Sequence, residues 1–134
     1  STNPATKPFR SLMLDQFPHP YDVAVIDEDN SLLLLGIEHG LHGHLGPNGA
    51  RGNPKNLRVV GKANTAHTHS AGIVDGVYTA GVMGNLDMGY NKGLSSWSHS
   101  SIVTYPNSKR QIITFSVNYL SGSAQWRPWR DFNE

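Results

Sequence analysis

The chain has 134 residues, of which 37% are hydrophobic and 16% are charged, and its formal net charge is +1. This length predicts a single domain, and the balanced charge gives no bulk attraction to nucleic acid or to a membrane surface. The 14 glycines and 8 prolines predict frequent turns and few long helices. Seven histidines occur without any cysteine, which excludes a disulfide scaffold, a thiolate zinc site and a cysteine nucleophile.

The first third of the chain predicts two strands after a proline-rich beginning. Residues 1–20 contain four prolines and are interpreted as a leading segment, and residues 21–134 as one β-rich domain. Loose alternation predicts a strand over residues 21–27. Residues 31–38 are short and almost wholly apolar, which predicts a strand buried on both faces. The apolar run at residues 32–35 is far too short to span a bilayer, and no signal-peptide pattern is seen, so we expect no membrane association.

The remainder predicts loops, one short helix and two hairpins. Five glycines and a proline make residues 39–52 a loop, and Asn53 and Pro54 predict the cap and first turn of a helix that ends at Gly61. Residues 64–70 resemble the polar end of a strand. A hairpin is expected around Asp75 and Gly76, a second one over residues 97–119, and an edge strand at residues 125–129. The fold class is therefore predicted as α+β and β-rich.

Two His-x-His pairs are the sharpest chemical signal. His42 and His44 are separated by glycine, and His67 and His69 by threonine. Side chains two apart in a strand point to the same face, so each pair can hold one metal ion or give one ligand to each of two. Neutral imidazole is a common ligand of zinc, manganese, iron and nickel. Glu38 could orient one of these imidazoles. The alternative is that the histidines are ordinary polar residues of turns.

Residues 46–52, with the sequence Gly-Pro-Asn-Gly-Ala-Arg-Gly, are a candidate phosphate-binding loop. Glycine lets backbone amides approach an anion, and the Arg51 guanidinium suits a phosphate. The alternative is a tight turn with a solvated arginine. A second loop, residues 84–96, precedes Trp97 and is interpreted as a surface loop that Trp97 anchors in the core. Its alternative is a substrate wall whose aromatic rings, Tyr90 and Trp97, stack on a base or sugar.

These motifs together resemble the C-terminal half of phage-type calcineurin-like metallophosphoesterases. The similarity rests on His42-Gly-His44, on the loop at residues 46–52 and on Ala66-His-Thr-His69, and it extends over about residues 31–130. It implies the second half of an αββα sandwich. It also implies that His42 and His67 bind one divalent transition metal (Mn, Zn, Fe or Ni) and that His69 binds a second. In addition, it implies that His44 and Arg51 act at the phosphate and that Asn48 and Arg51 bind substrate.

The chain departs from that family in its acidic motifs. The Asp-x-His, Gly-Asp and Gly-Asn-His motifs are absent, and Ala66 replaces the usual glycine before His-Thr-His. We therefore expect a homodimer, or a partner chain that supplies an N-terminal half. Two hypotheses about function follow: a metal-dependent phosphoesterase that cleaves phosphodiesters such as nucleic acid in the cytoplasm of a bacterial host, or a non-catalytic histidine–metal structural or interaction module. A third and weaker hypothesis is direct nucleic-acid binding through Lys55, Arg58, Lys62, Lys92, Lys109 and Arg110.

Overall fold

The structure, a computed structural model, describes residues 26, 30–117 and 124–128. One sheet contains five short strands: β1 (Leu33–Leu34), β2 (Ile37–Glu38), β3 (Ala63–Thr65), β4 (Gly72–Val74) and β5 (Val77–Thr79). Its spatial order is β1-β2-β3-β5-β4. A second sheet joins β6 (His99–Thr104), β7 (Arg110–Val117) and β8 (Ala124–Pro128) in sequence order. The predicted β-rich α+β class is confirmed.

The predicted helix begins where the sequence indicates, but its α-helical part ends earlier than predicted, at Leu57. Helix α1 (Pro54–Leu57) starts after Asn53, whose side-chain oxygen accepts a 3.0 Å hydrogen bond from the amide of Asn56. The chain then tightens into a 3-10 turn (Arg58–Val60), and it stops at Gly61, whose φ of 87° suits glycine. Leu57 is the residue of α1 that is buried. One short helix therefore covers the core from this side.

The prediction for residues 31–38 is wrong. They form two antiparallel strands, β1 and β2, rather than one strand buried on both faces. The chain reverses because Leu35 and Gly36 both adopt left-handed backbone angles, with φ of 55° and 73°. This reversal leaves Leu33 and Leu34 exposed at the edge of the sheet, whereas Ile37 is fully buried.

The parallel strands at the centre of the five-stranded sheet position the site. β3 pairs in parallel with β2 on one side and with β5 on the other, through Ala63 opposite Glu38 and Val77. The buried hydrophobic core of the described residues consists of Ile37, Leu57, Ala63, Val77, Tyr78 and Ile112. Because parallel strands run the same way, the chain leaves β2 and β3 at one common edge. Both histidine motifs lie just beyond that edge.

Arg110 of β7 holds the second sheet against the first. Its guanidinium donates to the carbonyl oxygens of Ala63 at 2.9 Å and of Gly76 at 2.8 Å, and to the side-chain oxygen of Asn64 at 3.0 Å. The same group lies 3.9 Å from the centre of the Tyr78 ring, a cation–π contact. Arg110 therefore has a structural role, so the predicted nucleic-acid contact at this residue has no support in the fold.

The predicted β elements in the second half of the chain agree with the structure. The hairpin around Asp75 and Gly76 is confirmed, with φ of 48° and 83° at its two central residues. The hairpin of β6 and β7 and the strand near residues 125–129 are also confirmed. The leading segment 1–20 lies outside the described residues, as does the predicted strand 21–27 apart from residue 26. Among the described residues, no helix has the length and apolar character needed to cross a bilayer.

Candidate metal centre

The two histidine motifs are joined through their backbones. The amide of Ala66 donates to the carbonyl oxygen of His42 at 3.0 Å. Gly43, with φ of 106°, lies against Thr65 so closely that a Cβ on it would be 3.1 Å from the Thr65 Cβ. The loop after β2 and the loop after β3 therefore lie side by side. This contact places the histidines of both motifs at one end of the sheet.

Three imidazole rings converge at this edge, and we call them the histidine cluster. The ring centres of His42, His44 and His67 are 5.2–5.9 Å apart. Nε2 of His42 and Nδ1 of His67 are separated by 3.3 Å. That distance fits a hydrogen bond between two neutral rings. It also matches the edge of a tetrahedron around an ion, about 3.3–3.4 Å for metal–nitrogen bonds of about 2.0–2.1 Å.

His69 does not join these rings, although the sequence predicts it as a ligand. Its ring meets Trp97 edge-on, with 4.4 Å between the ring centres. The predicted strand ends at Thr65, and His67 and His69 both have left-handed backbones, with φ of 40° and 60°. The rule that alternate side chains share a face therefore fails here. Left-handed non-glycine residues are strained and are concentrated at functional sites.

The described residues alone do not form a complete metal site. No group of three His, Asp or Glu side chains among residues 26, 30–117 and 124–128 is arranged to hold an ion. His42 and His67 supply two nitrogens at a suitable separation, and the ring of His44 lies beside them. Structural zinc sites use four ligands and catalytic ones at least three protein ligands. An ion bound here therefore needs further ligands.

Glu38 organises the backbone before the first motif instead of contacting an imidazole. Its carboxylate accepts hydrogen bonds from the Ser31 hydroxyl and from the amides of Leu32 and Gly40, both at 2.7 Å. The Ser31 hydroxyl, aided by the amides of Gly40 and Leu32, holds the pKa of Glu38 below its usual value. Glu38 is 7% exposed. Its charge therefore fixes the path of the chain from β1 and β2 into the His42 loop.

The lowered pKa of His67 favours metal binding. Burial lowers the pKa of His67, and repulsion from His42 and His44 lowers it further. Smaller repulsions come from His69 and from Arg51, so both lie within electrostatic reach of the ring. A lowered pKa keeps the imidazole neutral near pH 7, which is the form that binds metals.

The candidate phosphate loop is a closed turn. The amide of Gly46 donates to Ala50 O, that of Ala50 to Pro47 O, and that of Gly52 to His44 O, at 2.7–3.1 Å. These three amides are therefore occupied within the protein. Asn48 and Arg51 are both exposed, and Asn48 has a left-handed φ of 56°. Any hold on phosphate therefore rests on these two side chains rather than on the amides of Gly46 and Gly52.

A cleft next to the cluster contains a histidine that the sequence left without a role. Its volume is about 430 Å³, and its walls include His39, His42 and Asn64. Nδ1 of His39 lies 3.3 Å from the Asn64 amide nitrogen. Its Nε2 is buried without a hydrogen-bond partner among the described residues. The signal available in the sequence was the position of His39 directly after the buried strand β2.

Comparison with known proteins gives one relative of phage origin. The chain is 54% identical over 95 residues to Protein A1 of Escherichia phage T5. This supports a phage origin. The matched region is 71% of this chain and 17% of the phage T5 protein, so the chain spans only about a sixth of that relative's length. No protein-family model and no solved structure matches.

Proposed function

We propose that this chain supplies the imidazole side of a metal-dependent phosphoesterase centre that cleaves phosphodiesters. The observation that carries the proposal is the 3.3 Å separation of His42 Nε2 and His67 Nδ1. The ion would be a divalent transition metal, because the donors are imidazole nitrogens. His42 and His67 would hold it, and His44 would lie beside it. His69 keeps a ligand role only if its ring leaves Trp97.

The metal would polarise the phosphate and lower the pKa of a bound water. The chain's own residues have separate tasks. Arg51 is exposed and lies within electrostatic reach of His67, so its guanidinium can pair with a phosphate oxygen. Asn48, exposed in the same turn, can donate from its amide. His44, whose ring lies beside those of His42 and His67, would exchange a proton with the phosphate group.

The remaining ligands come from outside the described residues. The described part of the chain offers the cluster no carboxylate, because Glu38 is engaged by the backbone. The open cleft beside His42 gives another polypeptide segment access to the ion. A homodimer or a partner chain that inserts an aspartate there would complete the coordination. This arrangement agrees with the absence of the acidic motifs from the sequence.

Metal titration and a phosphodiesterase assay test the proposal together. Calorimetric titration of the full chain with Mn²⁺ or Zn²⁺ should show binding that His67→Ala strongly weakens. A matched control, His99→Gln, should bind normally, because the His99 ring instead lies 2.7 Å from Gly84 O. Cleavage of bis(p-nitrophenyl) phosphate should require the metal and stop with chelator. Binding that is equal in wild type and His67→Ala contradicts the proposal.

A second candidate function is a histidine–metal structural or interaction module. The observation that favours it is the lack of a carboxylate at the histidine cluster among the described residues. In that case the metal should raise the melting temperature in proportion to the logarithm of its concentration above Kd. No phosphodiester should be cleaved, with or without a partner chain. Turnover therefore separates the two candidates.

A further inference from the structure

The loop over residues 84–96 is held against the second histidine motif. The hydroxyls of Ser70 and Ser96 lie 2.7 Å apart, and the amide of Ser98 donates to His69 O at 3.2 Å. At the base of the loop, His99 Nε2 lies 2.7 Å from Gly84 O. These bonds fix both ends of the loop and its last turn. The loop is therefore held beside His69, at the end of the second histidine motif.

Three rings lead outward from the histidine motif along this loop. Trp97 contacts His69 edge-on, and its ring centre is 5.7 Å from that of Tyr90. Trp97 is half-buried and does not belong to the core, so the predicted anchoring of the loop in the core is wrong. Tyr90 is 67% exposed. The ring of Tyr90 therefore faces solvent, and the rings of Trp97 and His69 lie behind it in a row of contacting rings.

The turn that carries Tyr90 is braced rather than loose. The side chain of Asn91 donates to Leu86 O at 2.7 Å and accepts from the amide of Met88 at 2.9 Å. Asp87 accepts a 2.9 Å bond from the amide of Gly89. Ordering the ring in advance lowers the entropy cost of binding to it. The turn is therefore suited to present Tyr90 to a flat ligand.

We infer that Tyr90, supported by Trp97, is a stacking platform for a base of single-stranded nucleic acid. The inference rests on the proposed function, because it assigns that nucleic acid as the substrate whose phosphodiester reaches the histidine cluster. Every base has a face that stacks on an aromatic ring, so the platform would be tolerant of sequence. Exposed Lys92 lies two residues after Tyr90, and exposed Arg51 lies near the histidine cluster. The one acidic residue of the loop, exposed Asp87, opposes them, so these three groups leave a net positive charge. That charge favours a polyanion over an apolar protein surface.

Fluorescence anisotropy with labelled oligonucleotides tests this platform. The full chain, in EDTA, is titrated into oligothymidylate and into an abasic strand of equal length and charge. We expect wild type and Tyr90→Phe to prefer oligothymidylate. Tyr90→Ala should weaken its binding about 5- to 100-fold, with little change for the abasic strand. Leu94→Ala, a matched change at another exposed apolar residue of the loop, should have no effect.

Three outcomes overturn the inference. Wild type could bind both strands equally or not at all, which removes any role for bases. Tyr90→Ala could leave binding unchanged. Leu94→Ala could weaken binding as much as Tyr90→Ala, which would indicate a general apolar surface for a protein partner. Because EDTA removes metal, these outcomes are independent of metal binding, so this inference and the proposed function can fail separately.

Discussion

The backbone amide of Ala66 donates to the carbonyl oxygen of His42, and this single bond aligns two loops that are 24 residues apart in sequence. Through it, the loops after β2 and after β3 share one edge, and His67 reaches His42. Neither motif places its imidazoles by its own spacing, because neither motif is a strand. The rings of His42, His44 and His67 come together because each motif follows one of two neighbouring parallel strands, β2 and β3.

The first prediction concerns the pair His42 and His67. If both bind one ion, removing either nitrogen leaves a weak site, and removing the second costs little more. His42→Ala and His67→Ala should therefore lose affinity for Zn²⁺ non-additively, with a coupling of about 0.5–3 kcal/mol. Calorimetric titration of both single variants and the double variant measures it. Strictly additive losses would show that the two rings do not share an ion.

The second prediction concerns the close approach at Gly52. A Cβ on Gly52 would lie 2.0 Å from Gly43 O, so the loop carrying His44 would have to move. Gly52→Ala should lower the free energy of unfolding by about 1–3 kcal/mol. Gly72→Ala is the control, because a Cβ there meets nothing within 4 Å. Urea denaturation compares them, and equal stability of the two variants would contradict the packing described.

The third prediction concerns the pH dependence that Glu38 gives to stability. The pKa of Glu38 is lower in the folded chain than its ordinary value of 4.5. Its stabilising contribution is therefore present above the unfolded pKa and is lost as pH falls through the folded pKa. Glu38→Gln should lower stability at pH 7 and reduce the loss of stability on acidification. Thermal unfolding from pH 7 to about pH 3 measures both effects.

The control for Glu38 is Asp75→Asn. Asp75 forms a surface pair with Arg58 at 3.5 Å, and both side chains are more than half exposed. Such pairs contribute about 0–1 kcal/mol, so this variant should follow the wild-type pH curve closely. If Glu38→Gln also followed the wild-type pH curve, the Glu38 carboxylate would not organise the backbone at Leu32 and Gly40.

The fourth prediction concerns Arg110. Arg110→Met keeps apolar length but removes the donors to Ala63 O and Gly76 O and the charge over Tyr78. We expect a loss of about 2–3 kcal/mol in the free energy of unfolding, since hydrogen bonds involving charged groups are stronger than neutral ones. Lys109→Met, at an exposed neighbour, should stay within about 0.5 kcal/mol. Chemical denaturation followed by circular dichroism distinguishes the two.

The fifth prediction concerns association through β1. This strand ends the five-stranded sheet, and Leu33 and Leu34 are 66% and 50% exposed. Exposed apolar edge strands invite pairing with another chain. Sedimentation velocity should show concentration-dependent association, and Leu34→Lys should reduce it. Val59→Lys, an exposed position outside the strands, should not. A wild type that stays monomeric at high concentration would contradict this.

Local signals in the sequence predicted the elements they control. Asn53 with Pro54 set the start of α1, and Asp75 with Gly76 set a hairpin, because each depends on neighbouring residues alone. The turn at Leu35 and Gly36 was missed, since a leucine with a left-handed backbone has no sequence signature. The contact of His69 with Trp97 joins residues 28 positions apart, and no spacing rule predicts it. The likeness to half of an αββα sandwich stays a prediction.

The two sheets also differ in how they can fold. β6, β7 and β8 pair with their neighbours in sequence, so that meander needs only short loops to close. β2 and β3 pair in parallel across residues 39–62, which requires a longer loop to close before any contact compensates for the lost entropy. We therefore expect the sheet of β6, β7 and β8 to form first. Arg110 of β7 can then bind Ala63 of β3 and contact Tyr78 of β5. The histidine cluster would then be among the last parts of the chain to assemble.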